Sequence, residues 1–251
     1  MEKEAIIQVK DLSSRYGDNL ILDNVSLDVL KGEILVIAGS SGCGKTTLLR
    51  HMVGLSIPVS GNILINGIDI TSCDEAAFLN VLKKIGILFQ SSALFGSMTV
   101  AENIALPILE YSNLPESFIQ DVVRMKLCMV DLTGYEDYFP SELSGGMKKR
   151  AGLARAQALN PEILFLDEPS AGLDPIISAE IDELILHINK SIGTTIIIVT
   201  HELESIFHVA RRVVMLDKKT KGIIAEGKPE YLKNHSNIPF VRQFFNRTKP
   251  S

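Results

Sequence analysis

The stretch that decides the fold is Gly39-Ser40-Ser41-Gly42-Cys43-Gly44-Lys45-Thr46, followed directly by Thr47. It comes after an apolar run at 34–38 and opens a helical pattern at 45–53. Glycines allow the backbone to approach phosphate oxygens closely, and the exposed amides and the helix dipole supply positive potential. We therefore expect residues 39–47 to form a phosphate loop, in which Lys45 neutralises the β- and γ-phosphates of a nucleotide and Thr46 binds Mg²⁺. The alternative is a chance glycine turn before a helix.

The apolar pattern outside this loop predicts an α/β fold. Runs that are apolar on both faces occur at 34–38, 85–89, 163–166, 196–199 and 213–216. Strands of this kind belong to a mostly parallel sheet covered by helices. The alternation of Val25, Leu27 and Val29 and the turn pair Asn66-Gly67 predict, in addition, a small antiparallel patch at 6–30 and 60–70.

A helical lobe is predicted to interrupt the sheet. Residues 95–160 contain no convincing strand, and 100–110, 116–130 and 147–159 have helical patterns. We expect a single domain over 1–251, with a core at 1–90 and 160–235 that includes the antiparallel patch, an inserted helical lobe at 91–159, and a tail at 236–251. The amphipathic tail either packs on its own domain or clasps a neighbouring subunit.

Composition excludes several classes of protein. The net charge of −5 argues against a dedicated nucleic-acid binder, which usually has a strong basic excess. The three scattered cysteines suit a reducing compartment better than a disulfide framework. No apolar run approaches the roughly 20 residues that a spanning helix needs. We expect the chain to be soluble by itself, so that any role at a membrane comes through a partner.

Two carboxylates follow the apolar run at 163–166. A strand end brings Asp167 and Glu168 to the carboxyl edge of the sheet, where the phosphate loop is also expected. Asp167 is the expected partner of Mg²⁺, directly or through water. Glu168 is expected to point elsewhere, because successive strand residues alternate in direction, and it is a candidate general base for an attacking water. The alternative is a solvated acidic turn.

Further motifs occur in the order of one ATPase family. They are Gln90 after a buried strand, Leu143-Ser144-Gly145-Gly146-Met147, Ser170-Ala171-Gly172-Leu173-Asp174, and His201 after the apolar run at 196–199. With the phosphate loop and the acidic strand end, they make the chain resemble the nucleotide-binding subunit of an ABC transporter over nearly its whole length. The resemblance implies a P-loop NTPase fold with a RecA-like core sheet, ATP and Mg²⁺ as cofactors, and ATP hydrolysis coupled to transport.

The resemblance also implies roles for individual residues. Tyr16 is similar to the aromatic residue that stacks on adenine, although it could be an ordinary half-exposed tyrosine. Gln90 resembles the residue that contacts Mg²⁺ and the water and relays the nucleotide state to the membrane partner. His201 resembles the histidine that contacts the γ-phosphate, although a lone histidine is more often structural. The implied catalytic set is Glu168, His201, Gln90 and Lys45.

A second anion site is implied at the start of the third predicted helix of the lobe. Ser144, Gly145 and Gly146 open this helix, so that their amides can bind an anion. In the family this site closes on the γ-phosphate bound by a second copy of the chain, and Asp174 resembles the residue that crosses between the two copies. Without the resemblance, the segment would be a helix start capped by serine.

A cluster of positive charge occupies the first turn of the same helix. Lys148, Lys149 and Arg150 lie where the helix dipole disfavours cations by roughly 0.3–1 kcal/mol each. A nearby anion would relieve this cost. The alternative is that most of these long side chains extend into water.

A closer resemblance is to the Mla (Mce-associated) phospholipid-transport ATPases, through residues 88–95, 98–103, 140–147, 167–169, 174–176 and 241–244. Met147, where the family most often has glutamine, is ordinary in that branch. The resemblance implies phospholipid transport in a Gram-negative-type envelope. The chain would attach to the cytoplasmic face of the inner membrane through a permease that docks at 91–100, with accessory lipid-binding and regulatory subunits. The apolar residues at 91–100 could equally belong to the core of the lobe.

Three other functions remain open at this point. The chain could belong to a complex that signals to a cell-wall or division partner, or to an importer of another solute. A soluble ABC protein of translation or chromosome maintenance commonly carries tandem ATPase halves or a coiled-coil insertion. This sequence contains one set of ATPase motifs and no such insertion.

Overall fold

The computed structural model describes residues 4–247, which divide into two compact units. The first unit contains the described residues up to Val81 and those from Thr195 onward, and the second is Leu82–Thr194. The helical lobe predicted at 91–159 falls inside the second unit. The finer division of the chain into core, lobe and tail stays a prediction.

Residues 4–247 form ten strands and nine α-helices. The strands are β1 (Ala5–Tyr16), β2 (Asn19–Leu30), β3 (Ile34–Gly39), β4 (Ser60–Ile65), β5 (Ile68–Asp69), β6 (Ile85–Leu88), β7 (Ile163–Asp167), β8 (Thr195–Val199), β9 (Arg212–Leu216) and β10 (Ile223–Gly227). The helices are α1 (Lys45–Met52), α2 (Glu75–Leu82), α3 (Val100–Tyr111), α4 (Glu116–Met129), α5 (Gly145–Ala156), α6 (Pro175–Ile192), α7 (Leu203–Val209), α8 (Pro229–His235) and α9 (Pro239–Asn246). No helix of the described residues is long and apolar enough to cross a membrane.

The antiparallel patch predicted from the sequence is a four-stranded sheet of the first unit, in the order β2-β1-β4-β5. Its last hairpin turns at Asn66 and Gly67, whose φ angles of 50° and 77° are both positive. Such a turn matches the twist of the strands on either side, which explains the strong preference for an Asn-Gly pair. The hairpin prediction is confirmed.

The predicted parallel strands are also confirmed. In the first unit β3 lies between β8 and β9 and is parallel to both, and in the second unit β6 is parallel to β7. Every residue of β3, β7 and β8 is buried, as expected for strands covered on both faces. β10 was not predicted. It pairs antiparallel to β9, and it is only partly buried.

Three helices of the second unit correspond to the predicted lobe. α3 begins with a capping box, in which the Thr99 hydroxyl accepts from the Glu102 amide and the Glu102 carboxylate accepts from the Thr99 amide. α5 begins two residues before its predicted start at 147 and ends at Ala156, short of the predicted 159. The short helices α2, α7 and α8 were not predicted.

The tail helix α9 packs within the first unit. Val241 and Phe245 are buried, and the Phe245 ring meets the Phe207 ring edge-on at 5.7 Å between centroids. Of the two expectations for the tail, packing on its own domain therefore holds for α9. The part of the predicted tail at 248–251 lies outside the described residues.

A buried histidine of the first unit is held through both of its ring nitrogens. The Nδ1 atom of His51 lies 2.8 Å from the Ser56 carbonyl oxygen, and Nε2 lies 2.8 Å from the Ser14 hydroxyl. A carbonyl only accepts, so Nδ1 carries the proton and Nε2 accepts from Ser14. Burial lowers the pKa of His51 below its ordinary value of 6.5, although the Ser56 carbonyl partly opposes this.

We expect the neutral His51 ring to stabilise the fold above pH 6.5 and this contribution to decline as the pH falls, because the unfolded chain then takes up the proton first. The contribution should fall by at most about 1.4 kcal/mol per pH unit. Urea unfolding of the wild type and of His51→Gln between pH 7.5 and 5.5 measures it as the difference between their slopes. Parallel slopes would contradict the assignment.

Candidate functional site

The phosphate loop joins β3 to α1 in the first unit, as predicted. Its lysine is 8% exposed, and Lys45 Nζ donates to the carbonyl oxygens of Gly39 at 3.0 Å and Ser40 at 3.2 Å. Thr46 is exposed in the first turn of α1, and Thr47 is partly exposed. The loop thus curves around one ammonium group next to a helix N-terminus, which is the arrangement that phosphate binding requires.

Two glycines of the loop differ in what a side chain would meet. Gly39 has a φ of 146°, and a Cβ atom there would collide with the carbonyl oxygen of Leu216. Gly42 has a φ of 75°, and apart from the glycine and its two chain neighbours no atom of the described residues lies within 4 Å of its ideal Cβ position. Both positions favour glycine through their backbone, but only Gly39 needs it for space.

We expect Gly39→Ala to lower the free energy of unfolding by about 2–5 kcal/mol, since overpacking adds to the cost of the left-handed backbone. Gly42→Ala should cost only the backbone part, about 1–2 kcal/mol. Urea unfolding of both variants without nucleotide measures the difference. Equal losses would show that the close approach to Leu216 has no energetic weight.

Two further predicted site residues belong to the first unit. Tyr16 is 54% exposed at the end of β1, so its ring is accessible for stacking. His201 is exposed and follows β8, and the Thr200 hydroxyl supports this turn by accepting from the Glu202 amide at 3.1 Å. Because β8 is parallel to β3 with Val199 opposite Ile37, His201 and the phosphate loop lie at the carboxyl ends of neighbouring strands.

The acidic strand end and Gln90 lie together in the second unit. β6 and β7 are parallel, with Leu88 opposite Leu166. Gln90 and Glu168 each lie two residues beyond this pair. Gln90 is exposed, whereas Asp167 and Glu168 are mostly buried. The register therefore brings two of the predicted Mg²⁺ contacts, Gln90 and Asp167, and the predicted base to one edge of this strand pair.

The direction of Glu168 does not come from strand alternation, and that part of the sequence argument was wrong. β7 ends at Asp167, and Glu168 has a φ of 48° in the left-handed region. Few residues other than glycine adopt this conformation, and those that do are often held in it at functional sites. The backbone at Glu168, rather than the pleat of the strand, sets the direction of its carboxylate.

The second predicted anion site begins α5. Ser144 is the N-cap, and its hydroxyl accepts from the Met147 amide at 3.3 Å. Ser144 and Gly145 are exposed, whereas Gly146 is buried where a Cβ atom would come within 2.6 Å of Ile177. The first backbone amides of α5 therefore lie at the surface, next to Gly146, where only a small residue fits.

Asp174 has a structural role that the sequence did not assign to it. It is the N-cap of α6, and its Oδ1 accepts from the amides of Ile176 and Ile177, both at 3.1 Å. Asp174 is also exposed, so its carboxylate caps the helix at the protein surface.

The comparisons with known proteins identify the family. The family model described as "ABC transporter" matches residues 22–171, which include the phosphate loop, Gln90, the Ser144 segment and the acidic strand end. The chain belongs to the ABC transporter family. It is therefore an ATP-hydrolysing cassette that uses ATP and Mg²⁺, and it serves as the ATP-binding subunit of a transporter.

Relatives of this ABC subunit are named for two kinds of cargo. A probable ribonucleotide transport ATP-binding protein, Mkl of Mycobacterium leprae, is 44% identical over 96% of this chain and 68% of its own length. Intermembrane phospholipid transport system ATP-binding proteins, both named MlaF, are 42% identical in Haemophilus influenzae and 40% in Escherichia coli K12. The match covers 89% and 88% of these two proteins, but only about two thirds of the mycobacterial ones.

Solved ABC cassettes have the same fold. A dimeric post-hydrolysis structure of the cassette MJ0796, bound to ADP and phosphate, has a TM-score of 0.81 and 29% identity over 88% of this chain and 98% of that one. CbiO1 of Clostridium perfringens, described as part of the cbiONQ transporter complex, has a TM-score of 0.83 and 30% identity over 93% and 92%. The predicted P-loop NTPase fold is confirmed.

The basic cluster of this ABC subunit does not extend into water, contrary to one of the two expectations. Lys149 is 5% exposed and donates to the Gln90 carbonyl oxygen at 2.6 Å and to the Glu168 carbonyl oxygen at 2.8 Å. Arg150 forms ion pairs with Asp131 at 3.0 Å and Glu180 at 2.8 Å. Lys149 and Arg150 therefore do not depend on a bound anion. Lys148 is partly exposed, and none of these contacts involves it.

Cys43 contributes to the phosphate loop as packing. It is buried, and burial raises the pKa of its thiol, although the nearby Lys45 opposes this rise. The Cys43 amide donates to the Ser40 carbonyl oxygen at 3.2 Å and closes the turn. The side chain thus stays a neutral filler at neutral pH.

Proposed function

We propose that this ABC subunit powers the movement of phospholipids between the membranes of a Gram-negative-type envelope. The observation that supports this cargo is the match to the MlaF proteins, which spans nearly nine tenths of their length at 40–42% identity. We further propose that the subunit lies on the cytoplasmic face of the inner membrane, held there by an integral permease.

In the first unit, four residues are proposed to hold the nucleotide. Lys45 binds the β- and γ-phosphates, since its ammonium already lies within the phosphate loop. The Thr46 hydroxyl is an oxygen ligand of the kind that Mg²⁺ prefers. The exposed ring of Tyr16 stacks on adenine, and His201 contacts the γ-phosphate.

In the second unit, three residues are proposed to act on Mg²⁺ and water. The Asp167 carboxylate and the Gln90 amide carbonyl supply further oxygen ligands. Glu168 orients and deprotonates the attacking water, and its mostly buried carboxylate suits that task. Preorganised charges and dipoles then stabilise the developing charge on the phosphoryl group.

A second copy of the chain is proposed to complete each nucleotide site. Ser144, Gly145 and Gly146 of one copy contact the γ-phosphate bound by the other, and Asp174 lies at the seam. Hydrolysis removes this link and allows the pair to open. The permease is proposed to dock near 91–100, where Phe95 is half-exposed but Val100 is buried, so that only part of this segment is available for docking.

A mixing experiment tests whether the sites are shared. Ser144→Arg chains and Lys45→Ala chains should each be inactive alone, because every pair of identical chains lacks one half of both sites. In a mixed pair one site is complete. Since about half of randomly formed pairs are mixed, hydrolysis should recover to about a quarter of the wild-type rate. No recovery on mixing, or recovery to the full rate, would contradict shared sites.

Purification from native membranes tests the cargo. The tagged wild-type subunit should bring down a multi-spanning permease and accessory subunits with bound phospholipid, identified by mass spectrometry. The mycobacterial relatives named for ribonucleotide transport favour a second candidate, import of a small solute, which predicts a permease without enriched lipid. A partner with a single membrane span that controls wall hydrolases would instead indicate signalling.

A further inference from the structure

Lys149 connects two residues that are far apart in sequence. Its ammonium lies inside the second unit and donates to the Gln90 carbonyl oxygen at 2.6 Å and to the Glu168 carbonyl oxygen at 2.8 Å. Both acceptors are backbone groups, and hydrogen bonds from a charged donor are the stronger kind. One buried side chain of α5 therefore holds the backbone at both positions.

The backbone that Lys149 holds at Glu168 is strained. The φ angle of 48° puts this residue in the left-handed region, at a cost of order 1–3 kcal/mol for a residue other than glycine. Such a conformation persists only where surrounding contacts fix it. The bond from Lys149 to the Glu168 carbonyl oxygen is one such contact, because it fixes the orientation of the peptide that follows Glu168.

The same face of α5 also holds the segment after Gln90. The Arg155 guanidinium donates to the carbonyl oxygens of Ser92 and Ala93, both at 2.8 Å, where both residues have positive φ angles. Between the two cations, Gly152 packs so closely on Leu88 and Ser92 that a Cβ atom would lie 2.7 Å from the first and 3.2 Å from the second. The helix capped by Ser144 is thus fastened to 88–93 along two turns.

We propose that Lys149 is a positioning residue for hydrolysis. It fixes the backbone carbonyls of Gln90 and Glu168 to the first turn of α5, so that the carboxylate of Glu168 keeps its direction toward the attacking water. This inference rests on the proposed roles of Gln90 and Glu168. Lys149 thereby controls how effectively the base works, through the backbone that it holds.

Lys149→Met removes the donors and keeps a side chain of similar length. We expect MgATP affinity to stay within about twofold of the wild type, while the single-turnover rate of hydrolysis falls by about a hundredfold, since a misplacement of about 1 Å can cost that much. The matched control is Lys126→Met, which removes another buried lysine of the same unit, one that donates to Asn160 at 2.6 Å. Its rate should stay within about twofold of the wild type.

The decisive measurement combines Lys149→Met with Glu168→Gln. If Lys149 acts through Glu168, the double variant should hydrolyse ATP no more than about twofold slower than Glu168→Gln alone. Equal factors in both backgrounds, or an equal loss in Lys126→Met, would show a merely structural role. If Lys149→Met does not fold, Lys149→Gln replaces it, because its amide can still donate to one carbonyl. Full activity of Glu168→Gln would instead refute the proposed base.

Discussion

Glu168→Gln should reduce steady-state ATP hydrolysis by at least about a hundredfold, since a general base typically contributes a factor of 10²–10⁴. The amide keeps the size of the side chain and removes its capacity to take a proton from water. Because the phosphate loop and Lys45 belong to the first unit, MgATP affinity should remain within a few-fold of the wild type. Phosphate release and equilibrium nucleotide binding measure the two properties separately.

The matched control for this variant is Glu162→Gln. Glu162 immediately precedes β7, is exposed, and forms an ion pair with Lys84 at 3.2 Å. Exposed pairs of this kind contribute little, so both stability and turnover should remain near the wild type.

The Glu168→Gln variant should also stay paired with its second copy in the presence of MgATP, because the γ-phosphate link is not removed. A wild-type rate in Glu168→Gln would eliminate Glu168 as the base.

The fold could be predicted from the sequence wherever burial imposes a period or a continuous run. β3, β7 and β8 are buried on both faces, so their sequences are apolar throughout, and the Asn66-Gly67 turn follows from its positive φ angles. The helices α7 and α8, of seven residues each, contain about two turns, which is too short for a helical period to be recognised. The edge strand β10 is only partly buried and lacked a continuous apolar run.

The candidate site was predicted by residue type but not by its supporting contacts. Glu168 was recognised from its place after an apolar run, whereas its left-handed backbone depends on tertiary contacts such as the one with Lys149. The basic first turn of α5 was noticed in the sequence as an electrostatic anomaly. No local pattern shows that Lys149 reaches the carbonyl of a residue 59 positions earlier in the chain. Backbone acceptors are present at every residue, so the sequence carries no signal for which one is used.

Lys45→Ala should abolish productive nucleotide binding. In the described fold the Lys45 ammonium is held at the phosphate loop by the carbonyl oxygens of Gly39 and Ser40, so it is already in place for the phosphates. Losing a largely buried charged partner of an anion typically costs about 2–5 kcal/mol, which corresponds to a loss of affinity of about thirtyfold to several thousandfold. Isothermal titration with MgATP measures this loss, and hydrolysis at fixed ATP should fall to background.

The charge of Lys45 must be separated from its support of the loop, because alanine removes both. The Gly39 and Ser40 carbonyls lose a donor in the variant, so thermal unfolding without nucleotide should show a modest loss of stability. Arg50→Ala is the matched control, because it removes an exposed cation from the same helix. It should leave MgATP affinity unchanged within about twofold, since exposed charges act weakly in water. An unchanged ATP titration for a folded Lys45→Ala chain would show that residues 39–47 do not bind the phosphates, and equal losses in both variants would indicate only a general effect of net charge.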